Sequence, residues 1–228
     1  MRKPVVDYRR FRPGMGRTPE FAHLRLLWGW VFYFALYLLT ENLIPPERCV
    51  PMHLWVDDVI PFREWFVIPY VFWYFLVGGS LVYFLLYNIG SFRRLQIYLI
   101  VTQVLGMTIC ILFPNRQDLR PAVFPRDNAL SRMVGLIYRI DTSTGVCPSF
   151  HVAFSLAVAS VWLREKDVPP AWKAFVLICA VLICLSTMFI KQHSAADVLC
   201  AMPVCLAAEI VVRHIREPGN SPPRTTDL

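Results

Sequence analysis

A histidine and an aspartate stand four residues apart, at His193 and Asp197. On a helix, this spacing places two side chains on one face, so the carboxylate can hold and polarise the imidazole. An imidazole held in one tautomer is a candidate nucleophile or general base. Attack of His193 on phosphorus would give a phosphohistidine.

Two further polar clusters carry groups that such a phosphoryl transfer needs. A second histidine, His151, can protonate a departing alkoxide and later activate water or an acceptor hydroxyl. Positive charge and hydrogen-bond donors must also surround the phosphoryl oxygens. Arg120 offers a planar fork, Lys191 a point charge and Ser149 a hydroxyl donor. This chemistry requires no metal and no other cofactor.

Each of these residues also has a simpler structural explanation. A single histidine at a helix end is more often a hydrogen-bonded structural residue than a catalyst. Arg120 and Lys191, taken alone, would be basic side chains at the membrane interface that extend their charged groups into water. Ser149, which follows Pro148, would cap a helix. The occurrence of all these residues on one side of the molecule is what favours a function.

Six apolar runs determine where the polar clusters lie. The chain has 228 residues and is 56% hydrophobic, against roughly 45–50% in ordinary soluble domains. About 20 apolar residues cross about 30 Å of hydrocarbon as a helix. The runs are 24–44, 65–87, 95–113, 151–163, 171–190 and 195–212. They predict an all-α integral membrane bundle of six transmembrane helices. A soluble helical bundle is the alternative, but so many uncharged runs would leave it little polar surface.

Lysine and arginine residues predict the orientation of the bundle. Most of the 23 lie in the amino-terminal tail, in the connections after the second and fourth runs, and in the carboxyl-terminal tail. Loops rich in these residues face the cytoplasm. We therefore expect a cell-membrane protein with both termini cytoplasmic and all three polar clusters on the extracytoplasmic side. The net charge of +7 reflects this topology, and no basic-aromatic module indicates nucleic-acid binding.

Domain boundaries follow from the same runs. We expect a basic cytoplasmic tail over 1–23, a six-helix membrane catalytic domain over 24–213, and a disordered cytoplasmic tail over 214–228. Two features of the extracytoplasmic loops stay open. Cys49 and Cys147 either form a disulfide or remain free thiols. The charged residues between 57 and 64 either line the entrance to the site or form a solvated loop.

In order and spacing, the polar residues resemble the motifs of the type-2 phosphatidic acid phosphatase superfamily, which includes vanadium haloperoxidases and sphingolipid phosphotransferases. Its three motifs are a lysine-led stretch ending in Arg-Pro, a Pro-Ser-X-His, and a Ser-Arg followed by a histidine and an aspartate. Arg120-Pro121 matches the end of the first motif, and residues 148–151 match the second in full. The third is matched at Ser186, His193 and Asp197. The resemblance covers the chain from about the third run to the end of the sixth.

The resemblance implies a role for each matching residue. His193 would be the nucleophile, Asp197 its partner and His151 the general acid. The residues that would lie near the phosphate are Arg120, Ser149 and Ser186.

Two positions depart from the family pattern. The leading lysine of the first motif falls on Phe113, and the arginine of the third falls on Thr187. Two phosphate-binding cations are therefore missing from their usual places. Arg116 and Lys191 are the plausible substitutes, and Lys191 is the better one because it lies two residues from His193. These two departures favour the branch of the superfamily that is similar to inositol phosphorylceramide synthases.

These observations together predict a membrane lipid phosphatase that hydrolyses a lipid phosphate monoester or pyrophosphate through a phosphohistidine. The first alternative is a phosphotransferase that passes a phospho-headgroup to an alcohol. A phosphohistidine can give its phosphoryl group either to water or to an alcohol, so the same residues serve both reactions. The second is a non-enzymatic metal-binding or transport protein, since Cys147, the two histidines and Asp197 are ligand types that suit zinc. Arg120 and Lys191 would repel a cation in such a site. The expected partners are a lipid phosphate and the bilayer, and the sequence does not determine an oligomeric state.

Overall fold

The computed structural model describes residues 4–215, and its fold is all-helical, with 71% helix and 2% strand. Within these residues, the α-helices are α1 Trp28–Leu43, α2 Trp55–Val59, α3 Val67–Tyr87, α4 Ile89–Leu112, α5 Ala129–Ile140, α6 Phe150–Arg164, α7 Pro170–Phe189 and α8 Ala195–His214. Short 3-10 helices cover Tyr8–Arg10, Met15–Arg17, Ala22–Leu27, Pro46–Arg48 and Glu64–Phe66. Two short strands, β1 Val50–Pro51 and β2 Asn115–Arg116, pair in parallel with Val50 opposite Asn115. The all-α prediction is confirmed.

Five helical segments among the described residues are long and apolar enough to cross a membrane. They are Ala22–Leu43, Glu64–Tyr87, Ile89–Leu112, Pro170–Phe189 and Ala195–His214. The predicted fourth run corresponds to α6, which is apolar but has only 15 residues. The predicted third run begins earlier than expected, at Ile89, because Asn88 caps the backbone N–H of Ser91 and so starts the helix before its apolar part.

α6 lies at the centre of the bundle, where it packs against α3, α4, α7 and α8. Ala153, Ala157 and Val158 are almost completely buried, as expected for a helix that is apolar on all sides. Its first residue, Phe150, packs onto Gly106 of α4 so closely that a Cβ on that glycine would lie 2.6 Å from the Phe150 ring. A glycine at position 106 thus allows α6 to approach α4.

α6 runs antiparallel to α4 and connects the same two faces of the bundle. At its carboxyl end, the carboxylate of Glu165 accepts hydrogen bonds from the Asn88 amide (2.9 Å) and from the Ser91 hydroxyl at the start of α4. We call this end of the bundle the opposite face. The site face is the end at which α4 and α7 finish and α6 and α8 begin.

The amino-terminal segment packs against the opposite face. The Val5 backbone N–H donates to the carbonyl of Leu86 at 2.8 Å, and the Tyr8 hydroxyl donates to the carbonyl of Leu85 at 2.7 Å. Tyr8 also lies 2.8 Å from Nε2 of His23. The described part of the predicted 1–23 tail is therefore attached to the end of α3. The predicted 214–228 tail lies outside the described residues apart from its first two.

Candidate active site

The turn between α7 and α8 presents His193 to Asp197. Nδ1 of His193 lies 3.3 Å from Oδ2 of Asp197, which is fully buried. The helix begins only at Ala195, so the two residues do not share one helix as their spacing predicted. Instead, the helix cap positions the carboxylate, because Asp197 accepts from the Ser194 N–H at 2.8 Å while the Ser194 hydroxyl accepts from the Asp197 N–H at 3.3 Å. With Nδ1 turned to the carboxylate, Nε2 of His193 is the nitrogen available for attack.

The backbone of this turn is fixed from both sides. The carbonyl of Thr187 accepts hydrogen bonds from the N–H groups of Gln192 (2.9 Å) and His193 (3.0 Å). Lys191 has a left-handed backbone with φ of 56°, which reverses the chain between the two helices. The Thr187 hydroxyl donates to the carbonyl of Cys184 within its own helix.

His151 lies beside His193, with 5.9 Å between the ring centroids. It stacks on Tyr70 and packs against Trp73, each with a centroid distance of 4.3 Å. Its Nε2 atom is buried and has no hydrogen-bond partner among the residues described. The structure thus brings together the two histidines that the sequence separates by 42 positions, and it leaves one nitrogen of His151 available.

Ser149 connects the start of α6 to Asp197. Its backbone N–H donates to the Asp197 carbonyl at 3.1 Å, and its hydroxyl accepts from the Val152 N–H as a helix cap. Cys147, two residues before Ser149, is held on both sides by Asn115, which accepts from its N–H at 2.7 Å and donates to its carbonyl at 3.0 Å. Asn115 was not identified from the sequence, because a single amide in a polar loop gives no signal of such a contact.

Arg120 caps the carboxyl end of α5. Its guanidinium donates to the carbonyls of Tyr138 (3.1 Å), Asp141 (3.0 Å) and Thr142 (2.7 Å), and it lies over the Tyr138 ring at 4.6 Å. Burial lowers the pKa of Arg120, while the nearby Asp141 opposes that change. The remaining donor, Nε, is buried without a partner in the described structure.

Asp141 is a site residue that the sequence analysis missed. Its Oδ2 accepts from the Gln192 amide at 3.0 Å, and its Oδ1 lies 3.0 Å from the Tyr37 hydroxyl, which shares its one proton between Asp141 and Glu41 (2.8 Å). Burial raises the pKa of Asp141, and the Tyr37 hydrogen bond and the charges of His193 and Arg120 oppose that rise. The residue belongs to none of the three motifs, and an acidic residue in a polar loop resembles any solvated one.

Lys191 is directed at the first loop of the site face. Its ammonium donates to the carbonyls of Asp57 (2.8 Å) and Ile60 (2.6 Å), and burial lowers the pKa of Lys191. The buried carboxylate of Asp57 also accepts from the Ala195 N–H at 2.8 Å and so caps α8. The segment 57–60 therefore supports the His193 turn. The neighbouring Asp58 is exposed and pairs with His53.

Two other predicted phosphate ligands have partners elsewhere. The Arg116 guanidinium donates to the Asp118 carboxylate at 3.1 Å and to the Pro46 carbonyl at 2.9 Å, where β1 and β2 meet. The Ser186 hydroxyl, fully buried, donates to the Ile183 carbonyl of its own helix at 2.6 Å.

Between residues 4 and 215, no three His, Cys, Asp or Glu side chains are grouped so that they could hold a metal ion. Cys147, the two histidines and Asp197 are not grouped in that way in the described structure. Cys49 and Cys147 are both free, buried thiols. Comparisons with protein-family models, curated proteins and solved structures found no match.

Proposed function

We propose that the chain is an integral membrane lipid phosphatase that hydrolyses a lipid phosphate monoester or pyrophosphate through a phosphohistidine on His193. The observation that carries the proposal is the pair of rings 5.9 Å apart, one backed by Asp197 and the other with a free, buried nitrogen. The motif resemblance to the type-2 phosphatidic acid phosphatase superfamily supports the same chemistry.

In the first step, Nε2 of His193 attacks phosphorus and the bond to the lipid alkoxide breaks. Asp197 accepts a hydrogen bond from Nδ1–H and stabilises the positive charge that develops on the imidazole. His151 gives a proton to the leaving oxygen, so the lipid departs as a neutral alcohol. For a pyrophosphate, the leaving group is the lipid monophosphate.

In the second step, water attacks the phosphohistidine and the P–N bond breaks. His151, now neutral, takes the proton of that water, and inorganic phosphate leaves. The enzyme returns to its starting state without a cofactor. An alcohol in place of water would give the phosphotransferase reaction through the same intermediate.

We assign the phosphate to the neighbourhood of Arg120 and Ser149. The Ser149 backbone N–H donates to the Asp197 carbonyl. Arg120 donates to the carbonyl of Asp141, whose carboxylate accepts from Gln192, the residue before His193. The unused Nε–H of Arg120 is a donor of the kind that phosphoryl oxygens bind.

We further propose that α6 is the sixth membrane span and that the site face is extracytoplasmic. The helix covers about 22 Å at 1.5 Å per residue, between Gly106 and Ser91 of the spanning helix α4. Because four other helices surround α6, it does not need to match the full width of the bilayer. Apolar side chains of α1, such as Phe32 and Leu38, are exposed, as expected for a lipid-facing surface.

The test is phosphate release from a panel of lipid phosphate monoesters and pyrophosphates by the purified protein in mixed micelles. His193→Ala should abolish turnover, and His151→Ala should lower kcat by about 100-fold or more. His53→Ala is the matched control, because that histidine is exposed on the same face, and it should retain activity. Undiminished activity of His193→Ala would refute the mechanism.

Two further measurements identify the intermediate and the acceptor. Vanadate should inhibit the wild type, and alkaline quenching during turnover should trap a phosphorylated protein that His193→Ala does not form. Lipid products analysed with and without added alcohols separate hydrolysis from transfer. Metal content of the active protein tests the metal-binding alternative.

A further inference from the structure

Asp141 is a partly buried carboxylate that the two catalytic steps do not use. It joins three parts of the site, because Tyr37 of α1 and Gln192 of the catalytic turn donate to its side chain and Arg120 donates to its backbone carbonyl. Its charge acts on both His193 and Arg120. A carboxylate thus adjoins both the turn that carries His193 and Arg120, the residue to which we assign the phosphate.

The groups that face Asp141 come from each element packed around it. Arg120 is the cation and His193 the titratable base that oppose the negative charge of Asp141. Glu41 adds a second negative charge. Tyrosines of α1 and α3 complete the surroundings, and those that interact with the Asp141 charge are Tyr33, Tyr37, Tyr70 and Tyr74. One permanent cation, Arg120, and one titratable imidazole, His193, thus face the two carboxylates.

A phosphate dianion entering this environment would meet a like charge at short range. Such repulsion is strong in a partly buried site, where water screens it poorly. Protonation of Asp141 removes the repulsion and leaves the guanidinium of Arg120 charged. A protonated carboxyl can also donate a hydrogen bond to a phosphate oxygen.

We propose that the protonation state of Asp141 controls whether the phosphate group of the substrate can bind. The site accepts a phosphate dianion when Asp141 carries a proton taken from solution, and it rejects the dianion when Asp141 is ionised. This inference rests on the proposed phosphatase function and adds a specificity-determining residue to it.

The direction of the pH dependence follows from the surroundings of Asp141. Because burial raises the pKa of Asp141, the acid form persists to higher pH than for an exposed aspartate. Substrate binding should therefore be complete below this pKa and be lost as the pH rises through it. Above it, KM should increase by about tenfold per pH unit, while kcat changes little for this reason.

Asp141→Asn is the test variant, because it removes the charge and can retain the contacts. The Tyr37 hydroxyl can donate to the Asn oxygen. The Gln192 amide can turn so that its oxygen, buried and without a partner in residues 4–215, accepts from the Asn amide. We expect the ratio of wild-type to Asp141→Asn KM to rise with pH, from about pH 4 to about pH 8, by about tenfold per unit above the pKa. Ionisation of the substrate and of the histidines affects the KM of both proteins in the same way, so it cancels in the ratio.

Tyr37→Phe tests the proposal by raising the pKa of Asp141 instead of removing its charge. The Tyr37 hydroxyl lowers the pKa of Asp141 by donating to its ionised form. Its removal should move the rise in KM to higher pH, a shift that simple loosening of the site would not produce. Asp127→Asn, an exposed carboxylate paired with Arg132, is the control and should follow the wild-type profile.

The outcomes separate the two proposals. If wild-type protein hydrolyses a lipid phosphate and His193→Ala does not, but the KM ratio for Asp141→Asn is flat across pH, the role of Asp141 is wrong and the phosphatase stands. A rising ratio together with the Tyr37→Phe shift supports the role. Absence of hydrolysis and of vanadate binding by the wild type would overturn both.

Discussion

At the scale of single residues, Asp197 has two tasks in the structure. It caps α8 by accepting from the Ser194 N–H, and it orients His193 through Nδ1. Its other carboxylate oxygen is buried and unpartnered within the described chain. The same carboxylate therefore links the helix start to the proposed nucleophile.

Asp197→Asn should separate these two tasks. An asparagine at this position can still cap the helix, but its amide can favour the wrong tautomer of His193. We expect kcat to fall by about 10³-fold or more, with a loss of unfolding free energy of no more than about 1 kcal/mol. Turnover and thermal unfolding, measured on the same preparation, check both parts. A large loss of stability with unchanged kcat would contradict the assigned role.

Lys191 illustrates how the structure changes the meaning of a residue. The sequence predicted it as a substitute for a missing phosphate-binding arginine, but its ammonium binds the carbonyls of Asp57 and Ile60. We infer that it attaches the segment 57–60 to the turn between α7 and α8.

Lys191→Met should therefore act mainly on stability. Because two hydrogen bonds from a charged donor are lost, the free energy of unfolding should fall by about 2 kcal/mol, while KM for the lipid phosphate changes less than threefold or so. Arg116→Met is the matched comparison, since its partners are at an exposed edge. A Lys191→Met variant of normal stability and much higher KM would restore the phosphate-binding interpretation.

At the scale of the elements, the sequence predicted the long apolar helices well, because apolar runs of that length have few alternatives. It missed α5, whose apolar positions Leu130, Val134 and Ile137 recur at helical spacing on one side only. A search for long uncharged runs does not detect such an amphipathic helix. Asp141, and the contact of Asp57 with the start of α8, were missed for another reason, since these contacts join parts of the chain far apart in sequence.

The contact between α4 and α6 gives a prediction for a whole element. Gly106→Ala places a Cβ against the Phe150 ring and must displace it, together with the adjacent His151. We expect a loss of about 1–3 kcal/mol in unfolding free energy and a lower kcat. Gly79→Ala, where a Cβ would meet no neighbouring atom within 4 Å, is the control and should be tolerated. Combining Gly106→Ala with Phe150→Leu should recover part of the loss.

At the scale of the whole molecule, the loops of the two faces should lie on opposite sides of a membrane. Asp58 is exposed on the site face, and Asp167 is exposed in the turn between α6 and α7 on the opposite face. A membrane-impermeant maleimide should label Asp58→Cys in intact cells, but Asp167→Cys only after permeabilisation. The parent protein, with its native cysteines, gives the background. Labelling of both positions in intact cells would contradict an odd number of spans between them.

The short central helix has a consequence for how such an enzyme would encounter its substrate. α6 begins beside Gly106, whereas α4 continues to Leu112 at the site face. His151 therefore lies deeper in the bundle than the end of α4. In the proposed reaction, a lipid phosphate would meet the two histidines while its chains stay in the bilayer. The turnover rate should accordingly follow the mole fraction of the substrate in the membrane, so that diluting it with inert lipid slows the reaction even at constant total concentration.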